Sequence, residues 1–256
     1  MSKITQVFKK AGKTGKKVLV PYIMAGDPTL NDTKQYVAEL EESGADMIEL
    51  GVPFTDPLAD GPTIQRASER ALAHGTTLRK VISFVKDIRK DIKIPLILMT
   101  YYNPVFKFGI EAFVKEAVSA GVNGIIIPDL IPDEAEDIIA NAKTHGLDTI
   151  FLLAPTSTED RIRKVAKAST GFIYYVSITG ITGAKISIDN TMKDTLSKIK
   201  TITGKPVAVG FGISTPEQAS AAAELADGII VGSAIVRLIS EGKDIKSFVR
   251  ALKDAI

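Results

Sequence analysis

The stretch KPVAVGFGISTPEQASAAAELADGIIVGSAIV runs from Lys205 to Val236. It holds two short apolar runs, PVAVG (Pro206 to Gly210) and GIIVG (Gly228 to Gly232), on either side of a helical pattern. Near-continuous apolar runs of this length fit strands buried on both faces, as in a parallel sheet. The helix between them opens on Ser-Thr-Pro-Glu (Ser214 to Glu217), close to a capping box. Strand, loop, helix, strand is the parallel βαβ unit. The same alternation extends to the N-terminus, in VLVPYIM (Val18 to Met24), DMIEL (Asp46 to Leu50), PLILMT (Pro95 to Thr100), GIIIPD (Gly124 to Asp129), TIFLLA (Thr149 to Ala154) and FIYYVS (Phe172 to Ser177). Eight strand–helix units in about 250 residues is the arithmetic of a closed (β/α)8 barrel, the TIM-barrel architecture.

The connecting segments agree. DPTLNDTKQYVAELEESG stops at Gly44, a good helix end. Pro132 to Gly146 opens on Pro and acids and closes on basic residues and Gly; TSTEDRIRKVAKAS offers Ser157 or Thr158 as a cap. An extra helix is expected over Ile4 to Lys10, before the first strand. An open doubly wound sheet is the competing architecture. The first strand–helix turn lacks a GxGxxG, and an eighth strand permits closure. No low-complexity linker divides the chain, so residues 1–256 read as one domain.

Composition bounds the chemistry. The 256 residues are 45% hydrophobic and 24% charged, a balance that supports a sizeable core. Net charge is +2, and the short Lys pairs near the start read as a solvated face rather than a nucleic-acid surface. Cysteine is absent and there are two histidines, so disulfides, thiolate sites and His-based metal sites are not expected. No apolar run reaches membrane-spanning or signal-peptide form, which makes a cytoplasmic protein the expectation.

In such barrels the chemistry sits in the loops at the carboxyl ends of the strands. Glu49 is the penultimate residue of the second run, DMIEL, at that rim, and Asp60 lies in the following loop, VPFTDPLADGP. A carboxylate pair at a shielded site suits general acid–base work, because burial pushes the two pKa values apart. The plain alternatives are a buried ion pair for Glu49 and a turn residue for Asp60. Three late loops carry glycines: SITGITGAK after strand six, GFGIST after strand seven and GSAIV after strand eight, the last opening a short apolar helix. The amides of Gly183, Gly212, Gly232 and Ser233, with the Ser233 hydroxyl, are candidate donors to a substrate phosphate. Tyr22 and Phe211, with Leu98, Leu152 and Leu153, either line an apolar pocket or belong to the core.

ELGVPFTDPLADGPTIQ, MTYYNPVFKFG, PDLIPDE, YYVSITGITG and VGFGISTPEQ…ADGIIVGSAIV resemble, in order and over essentially the whole chain, the motifs of the tryptophan synthase alpha chain family. The resemblance implies reversible cleavage of indole-3-glycerol phosphate to indole and glyceraldehyde 3-phosphate, with Glu49 and Asp60 as the catalytic pair and Tyr174 in the active site. It implies the phosphate contacts named above; Tyr22, Tyr101 and Phe211 are the candidate pocket residues. It also implies no metal and no cofactor in this chain. The partner would be a pyridoxal-phosphate-bearing beta chain, in an assembly of two alpha and two beta chains. Tyr22 stands where many members have Phe, and Lys185 where others have Arg or Glu; these departures bear on substrate affinity rather than on the reaction. The partner would dock on the active face, where Asp56 and Pro57 are candidate interface residues, and the Gly-rich sixth loop would act as a lid. A sugar-phosphate isomerase of the same fold and a non-catalytic barrel scaffold are the competing functions. Of the two carboxylates, Glu49 is expected to have a raised pKa and Asp60 an ordinary one.

Overall fold

The computed structural model describes residues 1–176, 190–210 and 212–256. Among them nine strands occur: β1 (Val18–Met24), β2 (Ile48–Gly51), β3 (Leu96–Met99), β4 (Gly124–Ile126), β5 (Asp148–Ile150), β6 (Leu152–Leu153), β7 (Ile173–Val176), β8 (Val207–Gly210) and β9 (Gly228–Val231). Their order in the sheet is β5-β4-β3-β2-β1-β9-β8-β7-β6. Every pairing is parallel. The expected count was eight. The ninth arises because the fifth apolar run breaks at Phe151. Its first half pairs with β4 (Ile126↔Ile150) and its second half with β7 (Leu152↔Tyr174). One run thereby serves both neighbours, and the ring comes round to itself through that break.

The helices are α1 (Lys3–Lys13), α2 (Leu30–Glu42), α3 (Pro62–Ala73), α4 (Leu78–Ile88), α5 (Tyr102–Phe108), α6 (Ile110–Ala120), α7 (Glu136–His145), α8 (Glu159–Ala168), α9 (Asn190–Thr203), α10 (Pro216–Leu225), α11 (Ser233–Ser240) and α12 (Ile245–Asp254). Side chains start them where the sequence signals it. Thr158 caps α8 through the Arg161 amide, and Thr215 caps α10 through the Gln218 amide. Gln218 reaches back to accept from the Ser214 amide at 2.8 Å, which completes a box-like cap. The helix expected from Pro132 starts later. Pro132–Glu134 is a single 3-10 turn, and α7 begins only at Glu136.

Strand alternation sorts the side chains into two cores. Leu19, Ile23, Ile48, Leu50, Leu98 and Leu153 face outward and join the helices in the larger cluster. Val18, Val20, Met47, Ile97, Ile126, Ile150, Phe172, Ala208 and Ile230 face inward and fill the barrel. The amino end of the barrel is stopped by α1, whose Ile4 and Phe8 belong to this inner cluster. Phe8 lies 5.4 Å from Phe172, ring to ring. Two glycines make room for the plug. A Cβ on Gly124 would come within 2.8 Å of Ile4, and one on Gly228 within 3.1 Å of Phe8. With that end packed shut, any chemistry has the carboxyl end of the strands left to it.

Candidate active site

Glu49 lies in β2 beside Tyr22 of β1 and Ile97 of β3. It is on the inward face, two residues beyond the core residue Met47, so its carboxyl group sits at the top of the packed interior. It is 1% exposed, and neither carboxylate oxygen has a hydrogen-bond partner among the described residues. Burial first, and the negative charge of Asp60 second, push its pKa up from 4.5 to about 8. The side chain therefore carries a proton at neutral pH. The alternative of a buried ion pair is not met among the described residues, where no hydrogen bond or salt bridge reaches its oxygens.

Asp60 belongs to the loop between β2 and α3 and is half-buried. Its Oδ2 accepts a hydrogen bond from the Tyr101 hydroxyl at 3.1 Å, while the same hydroxyl accepts the Ala59 amide at 2.9 Å. The Tyr101 ring stacks on Phe54 with centroids 5.1 Å apart. Burial raises the Asp60 pKa to about 6, against the Tyr101 hydrogen bond, which lowers it. The expectation of an ordinary value is thus corrected. Desolvation outweighs the single donor, yet the two carboxyl groups still differ in the expected direction, Glu49 above Asp60.

Two more phenols close the site. Tyr22 is buried and Tyr174 half-buried, both on inward positions. Desolvation raises both hydroxyls well above their ordinary value, and the charges of Glu49 and Asp60 add to it. They remain protonated donors at any physiological pH. Glycines again set the geometry. A Cβ on Gly51 would stand 2.1 Å from the Tyr22 hydroxyl, and one on Gly210 2.6 Å from that of Tyr174. Neither glycine is singled out by the sequence; a Gly inside a strand pattern is the signal that marks close approach. The apolar floor is Met99, Leu152 and Tyr174, which pack onto the inner cluster. Leu98 and Leu153 face the helices instead. They are core residues, whereas Met99 lines the inside, because direction follows strand parity rather than residue type.

The late loops are described in part. Gly183, Lys185 and Phe211, and with them the expected lid, lie outside the described residues. Gly212 has φ of +38° and open space where a Cβ would be. Gly232 is the N-cap of α11 and Ser233 its first residue. The Val236 amide closes the first turn on the Gly232 carbonyl at 3.0 Å, so the amides of Ser233, Ala234 and Ile235 have no partner within the helix. Gly232 has a negative φ of −114°, and a Cβ there would meet Tyr22 at an ordinary 3.4 Å. Across the barrel, at the amino face, a cavity of about 580 Å³ is lined by Lys16, Lys17, Lys200 and Lys205. Three of those lysines are already bonded, Lys17 and Lys205 to backbone carbonyls and Lys200 to Asp227. No group of three metal-ligating side chains occurs among the described residues.

A parallel barrel with protonatable groups gathered at the carboxyl ends of its strands defines the class: a (β/α)8 barrel enzyme. Residues 8–255 match the sequence profile of a family described as tryptophan synthase alpha chain. The tryptophan synthase alpha chain of Geotalea uraniireducens is 55% identical over 262 residues, covering 100% of this chain and 98% of that one. That of Picosynechococcus is 47% identical, with full coverage of both. The crystal structure of the alpha subunit from Legionella pneumophila superimposes with a TM-score of 0.92 at 38% identity, covering 100% of this chain and 98% of that one. A tryptophan synthase structure from Mycobacterium tuberculosis gives 0.91 at 35% identity with full coverage of both. The chain belongs to the tryptophan synthase alpha chain family, and its activity is that of a lyase cleaving indole-3-glycerol phosphate. The isomerase of the same fold is not favoured by these matches.

Burial of Glu49 has a thermodynamic signature. The folded chain holds the proton to about pH 8, whereas the unfolded chain loses it near 4.5. The contribution of Glu49 to stability is therefore fully present below pH 4.5 and is lost as pH rises through that window. Glu49→Gln, which is neutral throughout, should be more stable than the wild type by roughly 2–5 kcal/mol at pH 8.5 and little changed at pH 4.5. Urea unfolding at the two pH values measures this; equal stability at pH 8.5 would mean that Glu49 is not buried as a neutral acid.

Proposed function

We propose that Glu49 is the general acid–base group of the cleavage and that Asp60 holds the indole nitrogen. One observation carries this: a carboxyl group with both oxygens buried and without a partner among the described residues, its pKa raised to about 8. Breaking the bond between indole C3 and the glycerol carbon is a retro-aldol step. The carbon that leaves is aromatic, so C3 first accepts a proton from Glu49, and the ring becomes an indoleninium cation. Glu49, now a carboxylate, takes the proton from the adjacent side-chain hydroxyl. That oxygen's electrons form the aldehyde C=O, and the C–C bond electrons return to the ring. Indole and D-glyceraldehyde 3-phosphate leave, and Glu49 ends protonated as it began. Asp60, with a pKa of about 6, is largely ionised at pH 7 and offsets the charge on the indole N–H. Tyr101 orients it, and Tyr174 and Tyr22 face the substrate.

The phosphate is bound by the amides of Gly183 and Gly212 and by those of Gly232 and Ser233 at the start of α11, and Phe211 is counted among the pocket residues. The chemistry needs proton transfer and electrostatics only, so this chain works without a metal or cofactor. Residues 1–256 act as one catalytic domain in L-tryptophan biosynthesis in the cytoplasm; no described helix is long and apolar enough to cross a membrane.

The product indole is small and apolar, and hand-over to a second site keeps it from water. The partner is a tryptophan synthase beta chain, which carries pyridoxal phosphate, in an assembly of two alpha and two beta chains. The docking face is the carboxyl end of the barrel. The segments that follow β2, β3 and β4 there present Leu58 at 92% exposure, Phe106 of α5 at 63% and Ile131 at 37%, beside exposed Asp56 and half-buried Pro57. Apolar side chains held out in water beside the site suit a protein partner.

Three measurements follow from these assignments. Glu49→Gln and Asp60→Asn should each lower kcat by about 10²-fold or more, with substrate still bound; either variant keeping more than about a tenth of the wild-type kcat removes that residue from the chemistry. For the phosphate, Gly232→Ala is a cleaner probe than a change at Gly212, whose positive φ would strain any side chain. Gly232→Ala should raise KM several-fold with melting unchanged, and an equal KM would sink the phosphate assignment. Titrating a beta chain against a fixed amount of this protein should raise indole formation about tenfold, since coupling is typically ~1–3 kcal/mol. Charge reversal at Asp56 should weaken the complex and spare the isolated chain. A flat titration would mean that the chain works alone.

A further inference from the structure

Asp60 stands two residues ahead of α3, with Gly61 as the helix cap between them. Whatever fixes α3 therefore fixes the near end of the Asp60 loop. Both ends of that loop are tied to the helix. Gln65 Nε2 donates to the Asp60 carbonyl at 2.8 Å. At the far end, Ser68 Oγ accepts the Phe54 amide at 2.9 Å and donates to the Phe54 carbonyl at 3.0 Å. The inner face of α3, Ala67 and Ala71, packs on Tyr22, Met24 and Val236. Small apolar contacts of this kind hold a helix against a barrel without fixing where it stands along its own axis, because they have no preferred direction.

The directional contact is elsewhere. Arg70 donates from Nε to Asp27 Oδ1 and from Nη2 to Asp27 Oδ2, each at 2.7 Å. This two-pronged geometry sets distance and rotation together. Asp27 is 3% exposed and follows β1, the strand that carries Tyr22. Its backbone is itself held. The Gly26 amide donates to Thr33 Oγ1 at 2.9 Å, and the Asp27 amide to the Met24 carbonyl at 3.3 Å. Gly26 has φ of +88°, and the site of its absent Cβ lies 2.1 Å from Thr76 Oγ1, so the loop fits closely against the chain leaving α3. A nearly inaccessible carboxylate is expensive without its cation, and Arg70 is its only ion-pair partner among the described residues.

We propose that Asp27 and Arg70 are positioning residues for the cleavage: their two-pronged pair locks α3 to β1 and thereby places Asp60 over the site that Glu49 floors. This rests on the assignment of Asp60 above. The pair touches no substrate. It acts through the helix, on the alignment of a charge that helps only when aimed at the indole nitrogen.

The test is steady-state kinetics on the full chain for Arg70→Met and Arg70→Lys, each in the wild-type and the Asp60→Asn background. Assays run well below each variant's measured Tm, with indole detected by mass spectrometry. Arg70→Met should lower kcat about tenfold or more while KM stays within about twofold, because the phosphate loops after β8 and β9 are untouched. Arg70→Lys keeps the charge without the fork and should fall between. In the Asp60→Asn background, Arg70→Met should cost less than about twofold further, since its effect passes through the carboxylate already removed. The proposal is overturned if Arg70→Met lowers kcat by the same factor in both backgrounds, or if Tm falls while kcat and KM do not change. Should Arg70→Met fail to fold, Arg70→Lys is judged by the same criteria. A wild-type rate in Asp60→Asn alone would fail the Asp60 assignment itself, and the positioning role with it.

Discussion

A closed ring of parallel strands sends every second side chain into a packed interior that is shielded from solvent and stopped at its amino end. The rest of this structure depends on that constraint. It makes the inner cluster from Val18, Val20, Met47, Ile97 and their neighbours, and it forces glycine wherever a large group must pass. At the amino end the passing groups are Ile4 and Phe8. At the carboxyl end they are the phenols of Tyr22 and Tyr174. The same packing rule builds the stopper and the site, with apolar atoms meeting at one end and hydroxyls and carboxyl groups at the other.

Glu49 is where that constraint becomes chemistry. An ionised carboxylate at a position 1% exposed, with no hydrogen bond among the described residues, is strongly disfavoured. The protein keeps it by keeping it neutral, which gives an acid that is still protonated where free carboxyl groups are not. Asp60 experiences a weaker version of the same force. The loop buries it in part and Tyr101 returns one hydrogen bond, so it settles nearer to neutrality and on the ionised side. Two identical functional groups take different protonation states because one sits on a strand inside the ring and the other on a loop above it. The arrangement costs stability above the acid range, a common expense of a working site.

Helix α3 joins parts of the site that are far apart in the chain. It begins beside Asp60, carries Arg70 to the loop after β1, and packs Ala67 and Ala71 on Tyr22 and on Val236 of α11. The start of α11 is where the phosphate assignment falls. Hydrogen bonds tie α3 to the Asp60 loop and to Asp27, whereas its contact with α11 is apolar and without direction, so a change in the standing of α3 is felt at the carboxylate pair rather than at the anion end.

Much of this was legible in the sequence. The apolar runs place all the strands, and Thr158, Thr215 and Gly44 mark helix ends, because local periodicity and capping depend only on residues a few positions apart. The position of Glu49 on the second strand of a barrel, and of Asp60 in the next loop, follows from the same patterns, although β2 runs on to Gly51, two residues beyond Glu49. Other features had no local signal. The break at Phe151 exists because one run must pair with β4 on one side and β7 on the other, which only ring closure imposes. Leu98 and Met99 are neighbours of similar character, and which one faces inward was set by strand parity within the ring. The raised pKa of Asp60, the room that Gly51 and Gly210 give to phenols, and the Asp27–Arg70 pair across 43 residues all arise between segments distant in the chain. Sequence alone determined which elements form and which residues stand at their ends, since those depend on neighbours along the chain. Tertiary structure decided direction, desolvation and partnership, since those depend on neighbours in space.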